Sequence, residues 1–235
     1  MSRFLRLLGL SLLLPATMAW AEIPERIELE YAVETHGLTI AHISEVFSRQ
    51  GSHYHIESES RAVGIAAAIK PETIRVVSDG DITAEGLRPH WMSHERKVDA
   101  ERSTRADFDW LQHQVTLKDR SGVRKVELPD GTQDRLSAMY QFLFLSLARA
   151  DHLAFQMSDG SRLTDYAYRV ADGGEVKVAA GGFKTRYLRS QPEDAPYTNE
   201  LWIGNEGLPV AVKGVVTEAD GSRYTQSLLR VNIHP

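Results

Sequence analysis

Nine histidines and no cysteine set the range of chemistry open to this chain. His53 and His55 stand two apart. On a strand that puts both on one face, ~7 Å apart, near enough to share a metal ion. His90 and His94 have the i, i+4 spacing of helical zinc motifs, but Pro89 and the alternation around them predict a strand, on which they would lie ~13 Å apart. No His-Glu-x-x-His occurs. Exposed positions on sheets explain the histidines more simply, and no metal site is assigned. Asp107 and Asp109 flank Phe108 on one strand face. Two carboxylates ~7 Å apart suit acid–base work, but such pairs are also common on solvated strands. Ser137 has no base beside it, and neither Gly-x-Ser-x-Gly nor Ser-x-x-Lys is present. The lack of cysteine excludes thiol catalysis, Cys-ligated zinc and iron–sulfur clusters. There is no Walker loop and no Gly-x-Gly-x-x-Gly opening a helix. The expectation is a protein with no cofactor, no catalytic residue and no enzymatic activity. Trp91, Trp110 and Trp202 read as packing residues rather than ligand contacts.

The elements that would carry these residues are mostly strands. Ile27, Leu29, Tyr31 and Val33 alternate with Glu28, Glu30 and Ala32, the period of a half-buried strand. The same alternation recurs at Tyr54 and Ile56, Ile74 and Val76, Val115 and Leu117, Tyr166 to Val170, Val176 and Val178, and Phe183 to Arg189. Turn signals separate the runs, among them Asp79-Gly80, Asp130-Gly131, Asp159-Gly160, Asp172-Gly173-Gly174 and Asp220-Gly221. Many short strands at this spacing predict a mainly β protein: an antiparallel, strongly curved sheet, as a half-barrel or open barrel.

One segment departs from this. Leu136, Met139, Tyr140, Leu143 and Leu147 have helical spacing, Thr132 or Asp134 can cap the start, and Pro129-Asp130-Gly131 precedes it. The pattern predicts one main helix over about 133–149. Phe142, Phe144 and Leu145 make it apolar nearly all round, so it should be buried on the concave side of the sheet. The small apolar run Ala62 to Ile69 reads as a buried strand or short helix, or as the lip of an apolar cleft.

The first residues have the layout of a secretory signal: Arg3 and Arg6, an apolar run over 7–18, then Ala19-Trp20-Ala21. The run is shorter than the roughly 20 residues a membrane span needs. No cysteine follows it for lipid attachment. Cleavage after Ala21 is expected, leaving residues 22–235 as a single β-rich periplasmic domain with no integral membrane segment. The formal charge of −5 becomes more acidic once Arg3 and Arg6 are removed, which argues against nucleic acid as a partner.

The order of features is that of a known family. An opening strand with Glu28-Leu29-Glu30-Tyr31 leads to the apolar run at 62–69, then Gly86-Leu87-Arg88-Pro89 and Phe108-Asp109-Trp110. Gly131 to Gln141 follows, with Gln133-Asp134-Arg135-Leu136-Ser137 as its most specific part, and Leu201-Trp202-Ile203 and Gly207-Leu208-Pro209-Val210 close the chain. This resembles the secreted bacterial proteins grouped as domain of unknown function 3108, which bring no catalytic residue with them. The Trp, turn, Leu-Pro-Val close is also similar to the envelope lipoprotein-carrier half-barrels, a likeness of fold rather than function. The resulting expectation is a periplasmic protein that holds a lipid or other apolar ligand in a half-barrel cleft. Ile65, Ile69, Met139, Tyr140, Leu143 and Leu147 are the candidate lining. An envelope module with a packed core, docking another envelope protein, is the alternative, and an enzyme acting on glycan or lipid is a third.

Overall fold

The structure, a computed structural model, describes residues 23–192, 195, 197–205 and 207–234. The expected signal segment lies outside the described residues. The chain runs through β1 (Arg26–Thr35), β2 (Leu38–Gln50), β3 (His53–Ala62), α1 (Gly64–Ile69), β4 (Thr73–Thr83), β5 (Gly86–Arg96), β6 (Thr104–Asp109), β7 (Gln114–Asp119) and β8 (Gly122–Glu127). It then passes β9 (Gln133–Asp134), α2 (Ser137–Tyr140), β10 (His152–Ser158), β11 (Leu163–Val178), β12 (Gly181–Ser190), β13 (Thr198–Gly204), β14 (Ala211–Thr217) and β15 (Arg223–His234).

These fifteen strands form one sheet, in the order β8-β7-β6-β5-β4-β3-β2-β1-β15-β14-β13-β12-β11-β10-β9. Two meanders therefore meet where β1 pairs antiparallel with β15. All ladders are antiparallel except the short β9–β10 pair, which is parallel. The sheet curls back without closing into a ladder. One end, β9, lies against β5, and Thr104 Oγ1 on β6 donates to the Asp159 carbonyl after β10 (2.7 Å). The alternation read from sequence fixes which face is buried. Ile27, Leu29 and Tyr31 of β1 point inward, opposed by Phe47, Tyr54, Ile56 and Met92 from the neighbouring strands.

Two expectations need correction. The main helix over 133–149 is absent: α2 covers only Ser137–Tyr140, followed by a 3-10 turn at Gln141–Leu143. Gln133 and Asp134 are already strand, paired with Met157 and Ser158. The apolar residues serve two separate cores. Leu136, Tyr140, Leu143 and Phe144 pack with the larger cluster around Ile27, Phe47 and Met92, Phe142 and Leu147 join Tyr168, Val170, Leu188 and Ile203, and Met139 touches both. A chain that threads between two clusters needs apolar side chains all round, as a buried helix does. The second correction concerns two Asp-Gly signals. Asp79-Gly80 and Asp172-Gly173-Gly174 are bulges inside the long strands β4 and β11, not hairpin turns. Each glycine has a local reason: a Cβ on Gly80 would lie 2.3 Å from the Arg88 carbonyl, and one on Gly173 2.4 Å from Thr185 Oγ1.

Candidate functional site: a charged cavity on the concave face

The Gln133 to Gln141 segment is held against the sheet by its own polar side chains. Gln133 Nε2 donates to the Leu87 carbonyl (2.9 Å). Gln141 accepts from Leu87 N–H (2.7 Å) and donates to the Glu85 carbonyl (2.7 Å). Gly86 has a φ of +109°, and a Cβ there would sit 2.4 Å from the Gln141 amide nitrogen. The hairpin end at Glu85 and the start of β5 at Gly86-Leu87 are thus one half of a contact whose other half is the Gln133 to Gln141 segment. Asp134 is fully buried at its centre. Its Oδ1 accepts from Leu136 N–H (2.8 Å) and Ser137 N–H (3.0 Å), and its Oδ2 from Ser78 Oγ. Ser137 Oγ accepts in return from Asp134 N–H (2.8 Å). This reciprocal cap satisfies the amides at the start of α2. Burial raises the Asp134 carboxyl above its ordinary value, and its hydrogen bonds offset only part of that rise.

This anchored segment roofs a cavity of about 590 Å³. Leu29, Tyr31 and Val33 of β1, Val76 of β4, Met157 of β10, and Tyr166 and Tyr168 of β11 are among its walls, with Arg135, Leu136, Met139 and Tyr140 above them. Polar groups are set into this lining. Glu45 Oε1 accepts from Ser58 Oγ (3.1 Å) and Oε2 from the Tyr140 hydroxyl (3.4 Å). Burial pushes the Glu45 carboxyl up, against those two hydrogen bonds and the charge of Arg135. Tyr31 and Tyr140 are raised well above the usual phenol range by burial first and the Glu45 charge second. Tyr31 donates its hydroxyl proton to the Ala211 carbonyl (3.0 Å).

His94 and Arg135 form a second polar point. Arg135 Nη1 lies 3.5 Å from His94 Nδ1. A guanidinium has only donors, so Nδ1 is the acceptor and the neutral ring carries its proton on Nε2. That Nε2 is buried and has no partner among the described residues. Burial, then the charges of Arg135 and Arg96, push the His94 ring down to about 4, so it is neutral at physiological pH.

Of the residues expected to line the cleft, the structure brings Met139 and Tyr140 to the cavity. Leu143 packs against the first core and Leu147 sits in the second, neither on the cavity wall. Ile65 and Ile69 correct the expectation: they are 62 % and 81 % exposed on α1, outside the cavity. Their helix bridges β3 and β4 at the sheet margin and buries none of its residues. Glu45, His94 and Arg135 were not among the expected lining. A signal existed for two of them. Glu45 shares the inward register of Ile43 and Phe47, and His94 that of Met92, so each is an ionisable group on an apolar strand face.

The other candidates lie elsewhere. His53 and His55 both contact the half-buried Asp79 (3.2 and 3.0 Å), and Asp81 contacts His90 (3.0 Å), a network on half-buried and exposed strand positions. Among the described residues no group of three or more such side chains is disposed to hold a metal ion. Asp107 pairs with Arg105 (2.6 Å), and Asp109 Oδ1 accepts from Gln112 N–H (3.0 Å), so each carboxylate has its own partner. Trp91, Trp110 and Trp202 each lie under a cation, from Arg105, Arg88 and Lys213. Among the described residues no helix is long and apolar enough to cross a membrane.

A mainly β chain with an unclosed, curled sheet around a lined cavity is the class that fold and site define. The chain belongs to the family described as protein of unknown function DUF3108, whose pattern matches residues 27–228. Among solved structures it is similar to a β-barrel-like protein of domain of unknown function DUF1849 from Brucella abortus. The TM-score is 0.55 at 11 % identity, over 91 % of this chain and 98 % of that one. A putative exported protein with a YmcC-like fold from Bacteroides fragilis aligns at a TM-score of 0.31 and 10 % identity, over 89 % of this chain and 96 % of that one. No curated protein matches the sequence.

Proposed function

We propose that this is a periplasmic binding protein, exported by its N-terminal segment, that holds a lipid-like ligand in the concave cavity and carries out no catalysis on it. The observation that supports this reading is the cavity itself. About 590 Å³ lies within the roughly 300–1,000 Å³ span of small-molecule sites. Its walls combine aliphatic and aromatic side chains with charged ones, among them Glu45, His94, Arg96, Arg135 and Asp159, so it can bury an apolar part of a ligand and orient a polar one. Burial of a tail is worth ~25 cal/mol per Å² of apolar surface removed from water. The test is native mass spectrometry of the full chain recovered from cells, followed by titration of the stripped protein with a fluorescent fatty acid. Co-purifying lipid and saturable binding support the reading. Protein that is uniformly ligand-free and indifferent to the probe overturns it.

A second reading has one observation in its favour. Ile65 and Ile69 expose a small apolar face on α1, as a surface that docks an envelope protein would.

A further inference from the structure

Arg135 is exposed by area, yet its neighbours are cavity groups. Its guanidinium touches His94, and its charge acts on Glu45 and Tyr166 as well. These three come from β5, β2 and β11, and all of them line the cavity. Arg135 lines the cavity as well, so part of the surface it exposes faces that space. Among the described residues it has no carboxylate within ion-pair distance, and the local carboxylates are otherwise engaged. Asp134, its sequence neighbour, is turned inward to cap α2. Asp159 accepts from Ser161 and from Arg162 N–H. Glu45 is bonded by Ser58 and Tyr140, and Glu200 accepts from Tyr187. His94 does not neutralise the guanidinium, because it offers only a neutral lone pair. Arg96 and Arg162 also line the cavity, but each has a carboxylate at long range, Glu72 (3.7 Å) and Asp159 (3.6 Å), which leaves Arg135 as the lining arginine without one among the described residues.

We propose that the cavity's ligand is an amphiphile whose anionic head, a carboxylate or phosphate, pairs with Arg135 while its apolar tail lies along the half-buried Val33, Ile43 and Met157 walls. A guanidinium is suited to this, since its planar fork meets both oxygens of such a head. The inference rests on the reading of the cavity as a ligand site and adds the class of ligand.

The experiment compares dodecanoate with dodecanol, and with acetate and inorganic phosphate as heads without a tail, in displacing a fluorescent probe from the stripped full-length protein. Dodecanoate should bind at least about tenfold tighter than dodecanol. R135Q should weaken dodecanoate far more than dodecanol and so remove that preference, while R135K should keep part of it. R135Q also removes the contact with His94, so its melting temperature is recorded alongside. Equal affinity of acid and alcohol, or a preference intact in R135Q, overturns the anionic head and leaves the cavity reading in place. Acetate or phosphate competing as well as dodecanoate also overturns it, in favour of a plain anion site. Failure of every probe overturns both.

Discussion

Replacing Asp134 by alanine should destabilise the protein through loss of hydrogen bonds rather than through an empty volume. The carboxylate accepts from two backbone amides at the start of α2, at 2.8 and 3.0 Å, and from Ser78, all within buried surroundings. Losing the cap costs about 1 kcal/mol, and each buried donor left without an acceptor about 1–3 kcal/mol more. Two terms reduce the sum: Ser78 can turn to the Tyr54 hydroxyl, 3.1 Å away, and a desolvated carboxylate is removed. The net loss is about 3 kcal/mol, or roughly 6–12 °C in melting temperature for a domain of this size. D134N keeps an oxygen for the two amides and should cost under about 1 kcal/mol. Urea unfolding followed by far-UV circular dichroism measures both. A loss below about 1 kcal/mol for D134A, or equal losses for the two variants, would refute the cap as the anchor of this segment.

Three further outcomes follow from neighbouring groups. His94 has a folded value depressed to about 4 from 6.5, so between those values the unfolded chain binds the extra proton. Its contribution, on the order of 3 kcal/mol, is complete above pH 6.5 and lost as pH falls toward 4, and H94Q should flatten that part of the stability–pH curve. The charges facing it are Arg135, Arg96, Arg102 and Asp159, so the curve should be read in each background before it is assigned to the ring. Glu45 has the opposite sign: its raised carboxyl favours the folded state at low pH and opposes it as pH rises through the folded value, so E45Q should melt higher than the parent at pH 7 and gain nothing at pH 3. G86A should cost about 1–3 kcal/mol, because the positive φ disfavours a side chain and the Cβ displaces a Gln141 amide held by two hydrogen bonds. In a double-mutant cycle with Q141A, additive losses would exclude the clash.

Strand periodicity was plain in the sequence because one face of the sheet is buried, and Ile27, Leu29 and Tyr31 had to alternate with Glu28 and Glu30 for that reason. Bulges were not legible. Asp-Gly supplies the same backbone freedom to a turn and to a bulge, and only the partner strand decides, as the Thr185 hydroxyl against Gly173 does. The 133–149 segment misled for a related reason. Apolar spacing reports burial, and Phe142 and Leu147 are buried against a different core from Leu136 and Tyr140. Of the cavity, Met139 and Tyr140 could be read from that same pattern. Arg135 could not, since nothing local distinguishes an arginine that faces a cavity from one that faces solvent.

The pairing of β1 with β15 also governs how the molecule forms. Ile27 lies beside Ile233, so the ladder at the middle of the sheet joins residues separated by nearly the whole described chain. Contacts of such long sequence separation slow folding, because the loop between them must close before the contact gains anything. Each meander can assemble from hairpins on its own, but the cavity between them exists only after the last strand docks. Synthesis from the N-terminus would leave β1 with an unpaired inner edge until β15 emerges. That edge is long, and the face beside it carries Ile27, Leu29 and Tyr31, so it is a surface in need of protection from other chains during that interval.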